Sequence, residues 1–212
     1  MSKIVFNEIG IKLELKKGIN MVSIENVSVF RNLYYNFFKN ITYSENDSPI
    51  DISKYTLLIN NPLNLDLNEK KILNLLYKKI IGNIVDKDRV KISEIEELSN
   101  ELLDDLIYKT GLLVEYSPII DINKLLSAFN LQFKEIEYSN YLDYIMNYIS
   151  TNLELSKYKL ILTFNLLNSV SSEEIDALKK EIEYQDIMLL DRSYNNRYKD
   201  STIIIDNDLC VI

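Results

Sequence analysis

Four short runs, TLLI, LILTF, IMLL and TIII, set the limits on what this chain can become. Each is apolar at consecutive positions, the pattern of a strand covered on both faces, as in a parallel sheet. Parallel neighbours need crossovers of a dozen or more residues, and helical periodicity fills the intervals between the runs. KLILTFNLL is followed by a helix opened by the Ser171 and Glu174 capping box and expected to reach about Glu183. QDIMLLD comes next, so strand, helix and strand read as a βαβ unit. The reading predicts an α/β fold with the four runs as its central sheet.

The remaining segments attach to that sheet. Ile11 to Lys16 alternate apolar and charged residues, a half-buried strand. The turn KKGIN, with Gly18, leads to a second strand, Met21 to Glu25, and the pair is expected to form a hairpin. Asn26 is placed to cap a helix to about Lys39, with Val29, Phe30, Leu33 and Phe37 on one side. SENDSPID reads as a polar loop before TLLIN. Asp66 and Glu69 have the spacing of a helix start, and that helix is expected to stop near Gly82. Ser93 and Glu96 form a clearer box for a helix ending at Gly111, with Ile95, Leu98, Leu102 and Leu106 inward. Further helices are expected over Ile122 to Phe129 and Tyr138 to Leu155. The expected division is an α/β head from residues 1–60 and 139–212, with a mainly helical lobe, 61–138, inserted in it.

Composition removes several chemistries. There is no histidine, so a Ser-His-Asp or Cys-His catalytic set is excluded, as are zinc sites of the usual Cys/His kind. Any metal must be a hard cation held by oxygen. The single cysteine, Cys210, forms no internal disulfide, which suits a cytoplasmic protein. No apolar run approaches the roughly 18 residues of a membrane span. A net charge of −8 argues mildly against nucleic acid but leaves room for a local basic surface.

In a nucleotide-binding α/β protein a phosphate loop would sit at the turn inside TLLINNPLNLDLNEKKILNLL. That turn offers Asn60, Asn61, Pro62 and Asn64 and no glycine. The chain's four glycines, Gly10, Gly18, Gly82 and Gly111, all lie elsewhere. A working phosphate loop needs glycines and a Lys-Ser/Thr pair, so ATP hydrolysis is not expected. Asn60, Asn165, Asp191 and Asp206 stand at strand ends, either as turn formers or as remnants of a ligand crevice. Asp206 and Asp208 are a weak cation pair, and Glu115 and Asp121 fare little better.

The basic residues carry more. Lys70, Lys71 and Lys78 fall within an arc of roughly 100° on one helix. Lys87, Arg89 and Lys91 follow shortly after. The stretch is either a solvated helix face or a surface for phosphates. Tyr141, Tyr144 and Tyr148 lie at helical spacing and either pack or stack on bases.

Taken in order, NMVSIENVSVFRNLYYNFF, YTLLINNPLNLDLNEKKILNLLYKKI, YKLILTFNLLNSVSSEEIDALKKEI, DIMLLD and IIIDNDLCVI resemble the Csn-two proteins. These are accessory adaptation proteins of type II-A CRISPR systems. The resemblance implies a RecA/P-loop-like head with a degenerate nucleotide site and an inserted helical leg. It implies a homotetrameric ring that encircles double-stranded DNA, prefers free ends, and works with the integrase complex and the effector nuclease during spacer capture. It implies calcium near the junction of head and leg, for which only Glu115 and Asp121 stand in the matching segment LLVEYSPIIDINK. The loop before TLLI, basic in that family, is SENDSPID here, with Lys54 after it. The expected DNA-facing set is Lys70, Lys71, Lys78, Lys87, Arg89 and Lys91. Two other readings stand beside this one. One is a divalent-metal phosphodiesterase or NTPase using Asp191 and Asp206. The other is a scaffold whose acidic helix, Ser93 to Lys109, is the partner surface.

Overall fold

The protein is described from a computed structural model covering residues 2–182 and 186–212. Its elements, in chain order, begin with β1 (Ser2–Phe6), β2 (Ile11–Leu15), β3 (Gly18–Ile24) and α1 (Val27–Asn40). Next are β4 (Ile41–Glu45), β5 (Ser48–Ile50), α2 (Ile52–Tyr55), β6 (Thr56–Ile59), α3 (Lys70–Gly82), α4 (Asp86–Thr110) and α5 (Ile122–Ala128). The chain closes with α6 (Tyr141–Leu155), β7 (Leu160–Phe164), α7 (Ser172–Glu181), β8 (Asp186–Asp191), a short 3-10 helix and β9 (Thr202–Ile205). The expected helix end at Glu183 and strand start at Gln185 lie outside the described residues. Two compact units form: Met1–Asp66 with Glu137–Ile212, and Leu67–Ile136.

The first unit is mixed α/β. Its parallel sheet has the order β6-β7-β8-β3-β9, and an antiparallel sheet has the order β2-β1-β4-β5. All four apolar runs join the parallel sheet, but a fifth strand, β3, sits between β8 and β9. The expected hairpin of Ile11–Lys16 with Met21–Glu25 is therefore corrected. β2 pairs antiparallel with β1, while β3 crosses to the other sheet. The physical reason lies in burial. β2 alternates covered and uncovered positions, whereas six of the seven β3 residues are buried, as a central strand requires. Gly18, at φ +86°, makes the break between them.

SENDSPID is also corrected. Its ends belong to β4 and β5, joined through Asn46 and Asp47, both at positive φ (48° and 62°). That is the backbone of a tight two-residue hairpin turn, which Asn and Asp tolerate.

One core fills the space between α1, the antiparallel sheet and one face of the parallel sheet. Phe164 is its centre. Its ring meets Phe30, Tyr34 and Phe37 edge-on at 5.7, 5.2 and 6.2 Å. Each such pair adds about 0.5–1.5 kcal/mol beyond the area it buries. The expected cap of α1 is in place: Asn26 Oδ1 accepts from the N–H groups of Ser28 and Val29 at 3.1 and 3.2 Å. So is the capping box of α7. The Ser171 hydroxyl accepts from Glu174 N–H at 3.2 Å, and Glu174 Oε2 accepts from Ser171 N–H at 2.7 Å.

The second unit holds α3, α4 and α5. Here three expectations fail. α3 starts at Lys70, with Glu69 and not Asp66 at its N-cap and no side-chain cap bond there, so the Asp66 and Glu69 spacing places the start one turn too early. α4 is one 25-residue helix that begins at Asp86, so Ser93 and Glu96 lie inside it and cap nothing. The start is held by Asp88, whose Oδ2 accepts from Val85 N–H at 3.1 Å, and the end by Gly111 at φ +66°. Ile95, Leu98, Leu102 and Leu106 do not point inward. They are 44% to 66% exposed. Periodicity correctly marks one apolar stripe, but it is left largely open to solvent.

Candidate nucleic-acid interface

α3 is anchored on one side by buried Ile72 and by the Tyr77 hydroxyl, which donates to the Leu131 carbonyl at 3.0 Å. Just before it, Asn68 Oδ1 accepts from Phe133 N–H at 2.8 Å, and Nδ2 donates to the Phe133 carbonyl at 3.3 Å. These contacts fix the rotation of the helix and leave Lys70, Lys71 and Lys78 exposed. On α4, Lys87 and Lys91 are one turn apart, also exposed. Because α4 starts at Asp86, Arg89 is turned roughly 160° to 200° from those two lysines. It lines a different cleft, of about 440 Å³, with Ile84, Ile92 and Glu96. None of the six side chains has a carboxylate partner within ion-pair distance among the described residues. Each helix thus bears its own exposed lysines, three on α3 and two on one side of α4, and Arg89 is turned away from the α4 pair.

A second basic cluster escaped the sequence reading. Lys54 and Lys159 both stand over the Tyr55 ring, at 5.4 and 5.9 Å from its centroid. Lys54, Tyr55, Leu155, Ser156 and Lys157 line a cleft of about 380 Å³. Lys159 also pairs with Glu45. The cluster exists because β6 and β7 are parallel neighbours and each is entered through a lysine-bearing segment. Two lysine–tyrosine segments directly before apolar runs were the available signal. The long stretch of chain between them hid their proximity.

Tyr141, Tyr144 and Tyr148 are packing residues. The Tyr141 hydroxyl donates to the Pro62 carbonyl at 2.6 Å, and burial pushes its pKa up to about 12. The Tyr144 hydroxyl bonds both Leu65 backbone groups, and Tyr148 is buried. They tie down the segment after β6 and are not free to stack on bases.

At the carboxyl edge of the parallel sheet the strand ends differ from one another. Asp206 Oδ1 accepts from the N–H groups of Asp208 and Cys210 at 3.0 and 2.7 Å, a closed turn. Asn60 is exposed, and Asn165 takes a left-handed φ of 58°. Asp191 is fully buried. Desolvation raises its pKa to about 7, against the opposing backbone hydrogen bonds of Leu167 and Asn168.

The junction from the interior of the sheet into a helix is β3 to α1, not β6 to α3, since α3 belongs to the other unit. Only Glu25 and Asn26 span that junction. The N–H groups a phosphate would take are occupied in part by the Asn26 side chain.

Glu115 and Asp121 are both exposed. Asp121 Oδ1 is engaged as the cap of α5, accepting from Asn123 and Lys124 N–H at 3.0 and 3.4 Å. Among the described residues no group of three or more potential ligands gathers. Calcium takes six to eight oxygens, so these two carboxylates do not by themselves make a calcium site.

A parallel sheet with helices, together with a helical unit bearing exposed lysines, defines a mixed α/β protein. The family model for CRISPR-associated protein (Cas_Csn2) matches residues 34–209, and the chain belongs to that family, which serves type II-A CRISPR adaptation. No match to an individual curated protein is found. Among the described residues, no helix is long and apolar enough to cross a membrane.

Proposed function

We propose that this protein is a non-catalytic, ring-forming cytoplasmic protein that binds the ends of double-stranded DNA during spacer acquisition, in company with the integrase complex and the effector nuclease. The observation that carries this reading is the exposure of Lys70, Lys71 and Lys78 on α3 and of Lys87 and Lys91 on α4, none with a carboxylate partner among the described residues, in a chain of net charge −8. Unpaired lysines on rigid helices suit phosphate contacts that are sequence-independent and steeply salt-dependent. The exposed apolar stripe of α4 supports self-association, because a contiguous row of leucines is costly to leave in water. Four copies closing a ring would bring the lysines to a central hole and leave the acids outside. We read the five-stranded sheet as a RecA-like head in which the short, glycine-free β3–α1 junction replaces a phosphate loop. Calcium has no derived role in this reading.

The test compares binding to one plasmid, closed circular and linearised, across salt and with or without calcium. Tight, salt-sensitive binding to the linear form alone is the expected result. Equal binding to both forms overturns threading, and binding to neither moves the function to protein partners.

A further inference from the structure

A cleft of about 300 Å³ opens beside the carboxyl edge of the parallel sheet, lined by Phe30, Arg31, Tyr34, Tyr35, Asn165 and Arg192, with Val27 at its rim. It lies in the first unit and contains none of the lysines assigned above. Val27, Arg31 and Tyr35 are spaced i, i+4 and i+8, one face of α1. Phe30 and Tyr34 turn toward the core, where both rings meet Phe164. Tyr35 is 75% exposed, yet its ring is held edge-on against Tyr34 at 5.2 Å. An exposed aromatic face is thereby fixed in place at little entropic cost on binding.

The backbone positions of the charges are set as well. Arg192 follows directly on buried Asp191 at the end of β8, and Arg31 is on the second turn of a capped helix. Both guanidiniums are exposed, and neither has a carboxylate partner among the described residues. No acidic residue lines the cleft. The side-chain amide of Asn165 also has no hydrogen-bond partner among the described residues, and its left-handed backbone is set by Asn165 N–H donating to the Leu190 carbonyl at 3.0 Å. Guanidiniums recognise phosphate through paired N–H groups, an open tyrosine face takes a base, and a free amide reads a polar edge. The volume is at the lower end for small-ligand sites. Triphosphate binding by a helix N-terminus is disfavoured next door, where Asn26 occupies the N–H groups.

We propose that this cleft binds a single phosphorylated nucleoside, its phosphate between Arg31 and Arg192 and its base on Tyr35. The unit is either a free mononucleotide or the unpaired terminal nucleotide of a DNA strand. The second source rests on the DNA-end reading; the first does not.

The test uses the full chain, titrated calorimetrically with deoxyadenosine 5′-monophosphate and, by anisotropy, with a labelled 5′-phosphorylated single-stranded oligonucleotide. Variants are Arg31→Ala with Arg192→Ala, Arg31→Lys with Arg192→Lys, and Tyr35→Ala. All three residues are exposed, and an unchanged melting temperature confirms that each variant folds. Wild type is expected to saturate with at least one ligand. The double alanine variant should bind roughly tenfold or more weakly, consistent with loss of charge-assisted bonds. The double lysine variant should recover only part of the loss, and Tyr35→Ala should lose several-fold. Saturation by the mononucleotide identifies a free nucleotide, and saturation by the oligonucleotide alone identifies a strand end. No saturable binding of either ligand, or equal binding by the double alanine variant, overturns the proposal. Blunt linear duplex, run in parallel, reports on the ring reading alone. Its failure to bind while the mononucleotide binds rejects the ring and keeps the cleft.

Discussion

Ser23 and Asp191 are register partners on the adjacent parallel strands β3 and β8, and both are fully buried. Neither the Ser23 hydroxyl nor Asp191 Oδ2 has a hydrogen-bond partner among the described residues. The other carboxylate oxygen, Oδ1, accepts from Asn168 Nδ2 at 3.2 Å. The sheet therefore carries an under-satisfied carboxyl group at its carboxyl edge, one residue before an arginine of the cleft.

That group makes stability depend on pH. Its pKa rises from an ordinary 3.8 to about 7 on folding, so the folded state holds the proton more tightly than the unfolded chain. Stability from this group is full below about pH 4, falls as pH rises toward 7, and is lost above it. The shift corresponds to about 4 kcal/mol. Asp191→Asn should match wild type near pH 4 and exceed it by a few kcal/mol at pH 8. Urea unfolding of both proteins across that range checks it, and a constant difference would reject it.

Lys70→Ala with Lys78→Ala should weaken binding to linear DNA about uniformly across sequences. Each lost phosphate contact should lower the slope of log K against log salt by about 1. Arg89→Ala should leave that slope unchanged, because Arg89 lines a separate cleft. Binding curves at several salt concentrations separate the two outcomes.

Leu98→Glu with Leu102→Glu should dissociate the assembly without unfolding the chain. Both residues are at least 60% exposed, so the substitution creates no buried charge within the protomer. Sedimentation should show a smaller species with an unchanged helical circular dichroism spectrum. An unchanged mass would mean that the stripe is not the assembly surface.

Phe164→Ala should cost about 3–5 kcal/mol, since it empties the centre of the aromatic cluster. Ser171→Ala should cost only about 1 kcal/mol through loss of the α7 cap. Denaturant midpoints give the order directly.

Local chemistry was readable wherever a few adjacent residues decide the outcome. Asn26 and Ser171 cap the helices they were expected to cap, because a cap is satisfied within three or four residues. Gly111 ends α4 for the same kind of reason. TLLI, LILTF, IMLL and TIII are strands of one parallel sheet, because continuous apolar runs have nowhere else to be buried. The exposed lysines of α3 were legible from helical arithmetic alone.

What required tertiary structure was partner choice between distant segments. Nothing near Met21–Ile24 says that this segment pairs with β8 and β9 and not with its chain neighbour β2. Apolar periodicity on α4 marks a stripe but cannot say whether anything covers it, since burial belongs to the partner as much as to the helix. Lys54 met Lys157, and Arg31 met Arg192, only once parallel strands brought together residues far apart in the chain. The sequence by itself determined the four apolar strands and the helices whose caps close within a turn, Asn26 and Ser171 at their starts and Gly111 at an end. The clefts were decided only by the sheet order, through contacts whose two halves are coded far apart.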